Sequence, residues 1–251
     1  MRLARSAGAL EMKNVLITGA TRGLGLAIVR RLLEEPEYRL ICVGRTETEA
    51  FAALRAESGE RMIFQPFDLD DLDAIPGLVS GITRTHGALY ALINNAGIGL
   101  DGVLATQHAT EIDKVLRVNL EAAILMTKYA CRSMLTRREG RIVNISSIIA
   151  STGFNGLAVY AASKAGLEGF TRSLSRELGR AKITVNCIAP GYMETDMTAG
   201  LQGEKLDSIR RRAPLGLPRP DDVAGAAAYL LSDEAAMVSG SVMTIDGGST
   251  A

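Results

Sequence analysis

The chain is poor in the residues that staple or metallate small folds, with 3 cysteines and 2 histidines among 251 residues. Cys42, Cys131 and Cys187 are odd in number and widely spaced, and Cys42 and Cys187 lie in apolar runs. That is the pattern of reduced core thiols rather than of a disulfide framework or a zinc site. The histidines stand far apart, without neighbours suited to metal ligation. Net charge is missing as well, because 28 basic residues balance 28 acidic ones. Such a chain carries no overall electrostatic footprint for nucleic acid or an anionic membrane. No apolar run approaches the roughly 20 residues that would span a bilayer. The opening MRLARSAGALEM has too short an apolar segment for a secretory signal. We read residues 1–12 as a disordered extension, with Met12 as an alternative start. The setting expected is the reducing cytoplasm, with neither nucleic acid nor membrane as partner.

Also lacking are a Pro/Ser-rich linker, a low-complexity tract and a fixed-period repeat, so residues 13–251 read as one domain. What is present is alternation. NVLIT (14–18), RLICV (39–43), RMIFQPF (61–67), LYALIN (89–94), RIVNIS (141–146), ITVNCIA (183–189) and SVMTID (241–246) read as strands. Most are nearly continuous apolar runs, as strands covered on both faces should be. Helical patterns fill about 24–35, 48–58, 71–85, 108–136, 157–180 and 221–232, and less clearly 195–213. Strands alternating with helices predict an α/β fold of Rossmann type, a doubly wound parallel sheet of seven strands with helices on both faces.

The first strand runs directly into TGATRGLG (18–25), which opens the first helix. That context is what a dinucleotide-binding turn requires. Gly19 can turn sharply, while Gly23 and Gly25 leave room for backbone and phosphate to approach. The helix N-terminus then offers free N–H groups to a pyrophosphate. At the tip of the second strand, where an NAD site usually carries Asp or Glu, the chain has Gly44 and Arg45. Arg45 and Arg22 together favour the 2′-phosphate of NADP(H), with Glu47 as the nearest opposing charge. Asp68, ending the third strand, fits either an adenine amino group or a helix cap. In NNAG (94–97), Asn94 and Asn95 can tie strand ends together, and Gly97 lets the chain pass close to a ribose.

The fifth strand delivers Ser146 and Ser147 to the carboxyl edge of the sheet, where open α/β folds bind ligands. Tyr160 and Lys164 lie one turn apart on the next helix, in VYAASKAG. A free tyrosine titrates near 10, and a nearby ammonium, reinforced by the positive charge of oxidised nicotinamide, would favour its phenolate. Tyr160 can then exchange a proton with a carbonyl oxygen as hydride moves, while Ser147 stabilises charge on that oxygen. Ala161, Ala162 and Ser163 are small enough to let substrate and cofactor approach. Asn119, a mediocre helix residue in mid-helix, could hold a water linking Lys164 to solvent.

TGATRGLG, NNAG, VNL, NISS, YAASK and APGYMETDM, in this order and spacing, resemble the short-chain dehydrogenase/reductase family. The resemblance runs from about Lys13 to Gly248. It implies a catalytic tetrad of Asn119, Ser147, Tyr160 and Lys164. It also implies cofactor contacts from Thr21, Leu24, Ala96, Pro190, Gly191 and Thr195, besides the residues named above. Within the family, APGYMETDM, RRAPLG, DDVAGAAAYLLSDEA and SGSVMTIDGG most resemble 3-oxoacyl-acyl-carrier-protein reductases. The departures are LPRPDD after RRAPLG, beside the substrate lid, and PEYR (36–39) before the second strand.

The resemblance therefore implies NADPH-dependent reduction of a 3-oxoacyl thioester. The alternatives are an NADP(H)-linked enzyme for a sugar, steroid or other secondary alcohol, and a non-catalytic NADP(H) sensor. A lid is expected at 193–216, where Met193, Met197 and Leu201 either line an acyl pocket or pack the lid down. Arg172, Arg176 and Arg180 recur at helical spacing, as a docking face for an acidic carrier protein or as a solvated one. A homo-oligomer, commonly a tetramer, is implied too.

Overall fold

The computed structural model describes residues 12–194 and 203–251. Residues 1–11 of the expected 1–12 extension and the 195–202 part of the lid, Thr195 included, lie outside the described residues. The strands are β1 (Lys13–Thr18), β2 (Tyr38–Gly44), β3 (Met62–Pro66), β4 (Leu89–Asn94), β5 (Gly140–Ile145), β6 (Ile183–Pro190) and β7 (Val242–Ile245). They form one sheet of seven, in the order β3-β2-β1-β4-β5-β6-β7, and every pairing is parallel. The expected doubly wound sheet is the one observed.

Its helices are α1 (Gly23–Leu33), α2 (Glu49–Ser58), α3 (Ile75–His86), α4 (Ala109–Leu116), α5 (Ala122–Arg137), α6 (Ile149–Thr152), α7 (Ala158–Leu178), α8 (Glu204–Arg212) and α9 (Pro220–Leu231). The continuous apolar strands are explained by burial on both sides. Val15 and Ile17 of β1 face a layer containing Leu26, Ile28 and Val29 of α1 and Val223, Ala227 and Leu230 of α9. Leu16, between them, faces the opposite layer with Ile75 and Val79 of α3 and Met126 and Met134 of α5. Each such fully buried aliphatic side chain contributes about 1.5 to 3 kcal/mol relative to exposure.

Two local features depart from the expected pattern. The long helical stretch at 108–136 is not one α-helix, since Arg117–Glu121 forms a π-turn between α4 and α5. Such turns insert one extra residue per turn and cluster at functional sites. Asn119 sits in the middle of it. The short α6 was not anticipated, because its four residues are too few to show a period.

The strand order reverses between β1 and β4, which leaves a crevice at their carboxyl ends. Both glycine-bearing turns, 18–25 and 94–97, open onto that crevice.

Candidate active site

The glycine turn is held from within. Thr18 Oγ1 accepts from the backbone N–H groups of Asn95 and Ala96, each at 3.1 Å. Asn95 Nδ2 in turn donates to the carbonyls of Thr18 and Gly19, both at 3.0 Å. Gly19 has φ +64, and a Cβ there would lie 2.8 Å from Cα of Ala96. A Cβ on Gly25 would run into the carbonyl oxygen of Gly19. Side chains are therefore excluded on the inner side by backbone, whereas Gly23 (φ +51) faces open space. Helix α1 starts there with no side-chain cap and no acidic residue in its first turn. A bare, positively polarised helix end beside a glycine turn fits a pyrophosphate, and Leu24 packs behind it onto the core.

The second-strand tip joins the same turn. Gly44 packs on Thr21, whose carbonyl accepts from Thr48 Oγ1 at 2.7 Å. Arg22 and Arg45 therefore spring from touching segments. Both are exposed, and neither guanidinium makes an ion pair or hydrogen bond among the described residues. Glu47, the opposing charge, is held by Arg55, with 2.9 and 3.2 Å contacts to its two oxygens.

Asp68 is exposed and one of its oxygens accepts from the N–H of Asp70 at 3.1 Å. It closes its own turn rather than capping a helix, and the cap of the following turn is Asp71. Asn94 is buried, donating to Thr127 and to Asn144, which continues to Thr171. These bonds tie β4, β5, α5 and α7 together.

On the other side of the crevice, the tip of β6 fixes the tip of β5. Ser146 N–H donates to Ile188 O at 2.7 Å and Ile148 N–H to Pro190 O at 3.0 Å. Gly191 passes so close to β7 that a Cβ would lie 2.8 Å from Cα of Asp246. The Asp246 carboxylate, desolvated by burial, accepts from Thr250, Gly248 and Ser249, and these bonds hold its pKa below the ordinary carboxylate range.

Ser146 is buried and its hydroxyl points to Glu168 (2.9 Å) and the carbonyl of Lys164 (3.3 Å), both on α7. Ser147, half-buried, presents its hydroxyl to the phenol of Tyr160, and that contact favours the charged phenol. Burial outweighs it, so Tyr160 titrates above the ordinary tyrosine value, with the Asp101 carboxylate adding to the rise.

Lys164 is 3 % exposed and its Nζ donates to the carbonyl of Ile145 at 2.8 Å. Desolvation lowers its pKa to about 8. Nζ stands 5.7 Å from the Tyr160 ring centroid. The expected lowering of the tyrosine pKa by the ammonium is thus not what the structure displays. The ammonium is spent on a strand carbonyl, and burial dominates at the phenol.

Gly97 closes the group, because a Cβ there would lie 3.3 Å from Lys164 Nζ and 3.5 Å from Asn119 Oδ1. Asn119 itself clasps the adjacent backbone. Its Oδ1 accepts from Ile98 N–H at 2.8 Å and its Nδ2 donates to Ile98 O at 2.9 Å. Through both ends of its amide, Asn119 anchors the chain beside Gly97. Ser163 differs from expectation as well. It is fully buried, accepting from Asn119 at 3.2 Å, so it packs α7 down and does not line the approach. Ala161 is half-buried and Ala162 exposed.

Three sequence-expected groups meet here, namely Ser147, Tyr160 and Lys164, with Asn119 and Gly97 against the lysine. The glycine turn with Arg22 and Arg45 forms the opposite bank. Asp101 escaped the sequence reading, although an acid four residues beyond NNAG was visible. Among the described residues no cluster of His, Cys, Asp and Glu could hold a metal ion, and no helix is long and apolar enough to cross a membrane.

Comparison with known proteins agrees with this geometry. The short chain dehydrogenase family matches residues 13–205. The chain is 37% identical over 240 residues to Nodulation protein G of Rhizobium sp. (strain N33), covering 95% of this chain and 97% of that protein. It is 36% identical over 242 residues to 3-oxoacyl-[acyl-carrier-protein] reductase FabG of Vibrio cholerae, covering 95% and 98%. The corresponding Escherichia coli (strain K12) protein is 35% identical over 241 residues, covering 95% and 97%. The chain therefore belongs to the short chain dehydrogenase family, and is an oxidoreductase that interconverts CH–OH and C=O with a nicotinamide cofactor.

Proposed function

We propose that the protein reduces a 3-oxoacyl thioester to the 3-hydroxyacyl thioester with NADPH. The observation that carries the reading is the meeting of Ser147, Tyr160 and Lys164 at the crevice beside Gly97. Bound nicotinamide supplies the hydride. Tyr160, kept protonated by its surroundings, gives its proton to the carbonyl oxygen. Ser147 donates a hydrogen bond to the same oxygen and stabilises the charge developing there. Lys164 offsets the negative charge left on the phenol. Asn119 holds Ile98 and so the floor at Gly97.

The preference for NADPH rests on Arg22 and Arg45, two unpaired guanidinium groups on adjoining segments, with Glu47 neutralised by Arg55. Charge-assisted bonds of this kind are roughly twice as strong as neutral ones. Asp68 keeps one carboxylate oxygen for an adenine amino group. Thr21, Leu24, Ala96, Pro190, Gly191 and Thr195 complete the proposed cofactor contacts.

The thioester assignment draws on the similarity to 3-oxoacyl-[acyl-carrier-protein] reductases. An acidic carrier would dock on the exposed Arg172 and Arg176 of α7 and Arg180 in the turn that follows it. A homo-oligomer, expected to be a tetramer, would cover exposed Met237 and Tyr229 ahead of the edge strand β7.

The test follows loss of NADPH absorbance with acetoacetyl-CoA, repeated with NADH. Rapid oxidation of NADPH alone supports substrate and cofactor together. Binding of NADPH without turnover of acetoacetyl-CoA or an acyl-carrier thioester would sink the substrate and move the assignment to another secondary alcohol or ketone.

A further inference from the structure

The substrate side of the crevice is built from two loops, one after β4 and one between β5 and α7. They are bracketed together, since Gly102 N–H donates to Gly156 O at 2.9 Å. Gln107 Nε2 donates to Leu100 O at 3.1 Å, and Asn119 clasps Ile98. Asp101 lies between these three anchor points. It is exposed, and it makes no hydrogen bond or ion pair among the described residues. Its carboxylate is nonetheless near enough to Tyr160 to oppose ionisation of the phenol. The two loops expose apolar Val103, Leu104 and Phe154 as well as polar Thr106, Thr152 and Asn155, none of them a cation. The cation of the site, Lys164, is buried and committed to the carbonyl of Ile145.

An unpaired carboxylate beside a proton donor, with no lysine or arginine on either loop to offset it, discriminates by charge. A 3-oxoacyl thioester is neutral around its reacting carbonyl, and its phosphates lie at the far end of the pantetheine arm. A free 3-oxo acid carries its carboxylate two carbons from that carbonyl, where it would face Asp101. We propose that Asp101 is a specificity-determining residue that repels free 3-oxo acids and leaves uncharged 3-oxo thioesters and esters unaffected. The proposal rests on the reductase reading above. Specificity of this type comes from a repulsive element set against the wrong ligand.

The test compares kcat/KM for acetoacetate and ethyl acetoacetate, both with NADPH, in wild type, Asp101→Asn and Asp101→Glu. Wild type should prefer the ester. Asp101→Asn should raise kcat/KM for the acid about five- to tenfold, the size of one charge pair acting through a partly solvated cleft. It should leave the ester within about twofold, and Asp101→Glu should restore the preference. An unchanged acid-to-ester ratio in Asp101→Asn would overturn the proposal. A second readout does not need turnover. Calorimetric affinities of 3-hydroxybutyrate and its ethyl ester for the NADPH-loaded protein should show the same change of ratio, and constancy there would also overturn it. Failure to reduce both acetoacetyl-CoA and an acyl-carrier thioester sinks the thioester reading instead, and is read in wild type alone.

Discussion

Strand β5 has a buried cation at each end, and the two have different fates. At its carboxyl end Lys164, 3 % exposed, hangs its ammonium on the carbonyl of Ile145. At its amino end Arg141, 5 % exposed, donates to Gly140 O at 3.0 Å. Arg141 lies 5.6 Å from the Tyr90 ring centroid and 3.8 Å from the Asp233 carboxylate. Tyr90 is stacked on Tyr38, so the arginine rests on a rigid aromatic shelf. Its Nε is buried without a partner. Both cations pay desolvation, but only the lysine can respond by shedding a proton. Burial has brought it to about 8, within reach of working pH, beside the phenol and the open crevice. The arginine stays charged and enclosed. On the proposed mechanism, one end of the strand uses a buried charge for chemistry, whereas the other encloses one against an aromatic shelf.

The sharpest way to break this comparison is to make both cations methionine. Lys164→Met should lower kcat/KM by about 10²- to 10⁴-fold, the usual contribution of positioned acid–base machinery, and Tyr160→Phe should fall in the same range. Arg141→Met should keep kcat within about twofold. Equal activity losses from the two methionine variants would erase the distinction. Next in size is cofactor choice at the same carboxyl edge. Arg22→Ala with Arg45→Ala should raise KM for NADPH about 10- to 100-fold and leave KM for NADH nearly unchanged. A parallel rise for both coenzymes would mean that the arginines shape the turn rather than read a phosphate.

Stability should run opposite to activity. A pKa lowered from 10.5 to about 8 corresponds to about 3 kcal/mol of folding cost at neutral pH. Removing the bond to Ile145 returns roughly 1 kcal/mol of that. Lys164→Met should therefore unfold in urea with about 2 kcal/mol more stability than wild type at pH 7. Arg141→Met should shift by about 1 kcal/mol or less, since apolar replacement of a buried ion is often close to neutral.

The smallest effect is the pH dependence of that gap. Below pH 8 Lys164 is protonated in both folded and unfolded chains, so the penalty is constant. Between pH 8 and 10.5 the unfolded chain alone holds the proton, and the penalty shrinks as pH rises. The stability difference between Lys164→Met and wild type should narrow over that interval in paired urea titrations at pH 7 and pH 10. A gap that widened would assign the wrong sign to the lysine.

Much of this was legible in the chain because it is local. A glycine turn directly after an apolar strand, and a tyrosine and lysine one helical turn apart, need only a few consecutive residues. The seven strands were readable because burial on both faces leaves unbroken apolar runs. The contacts that correct the reading join distant segments. Asn119 meets Ile98 across 21 residues, Lys164 meets Ile145 across 19, and Asn119 meets Ser163 across 44. No spacing rule reports such pairs. The π-turn that places Asn119 was hidden because α4 and α5 share one apolar period on either side of it.

By itself, the order of residues determined the doubly wound architecture, the edge of the sheet that bears the site, and which chemical groups arrive there. Each of these follows from periodicity and from the chirality of strand–helix–strand connections. Tertiary structure alone decided what those groups do once they arrive. Whether a lysine bonds a phenol or a strand carbonyl, which backbone an asparagine clasps, and which way a buried pKa moves depend on desolvation and on distances of a few ångströms. Those quantities exist only when segments far apart in the chain are packed together.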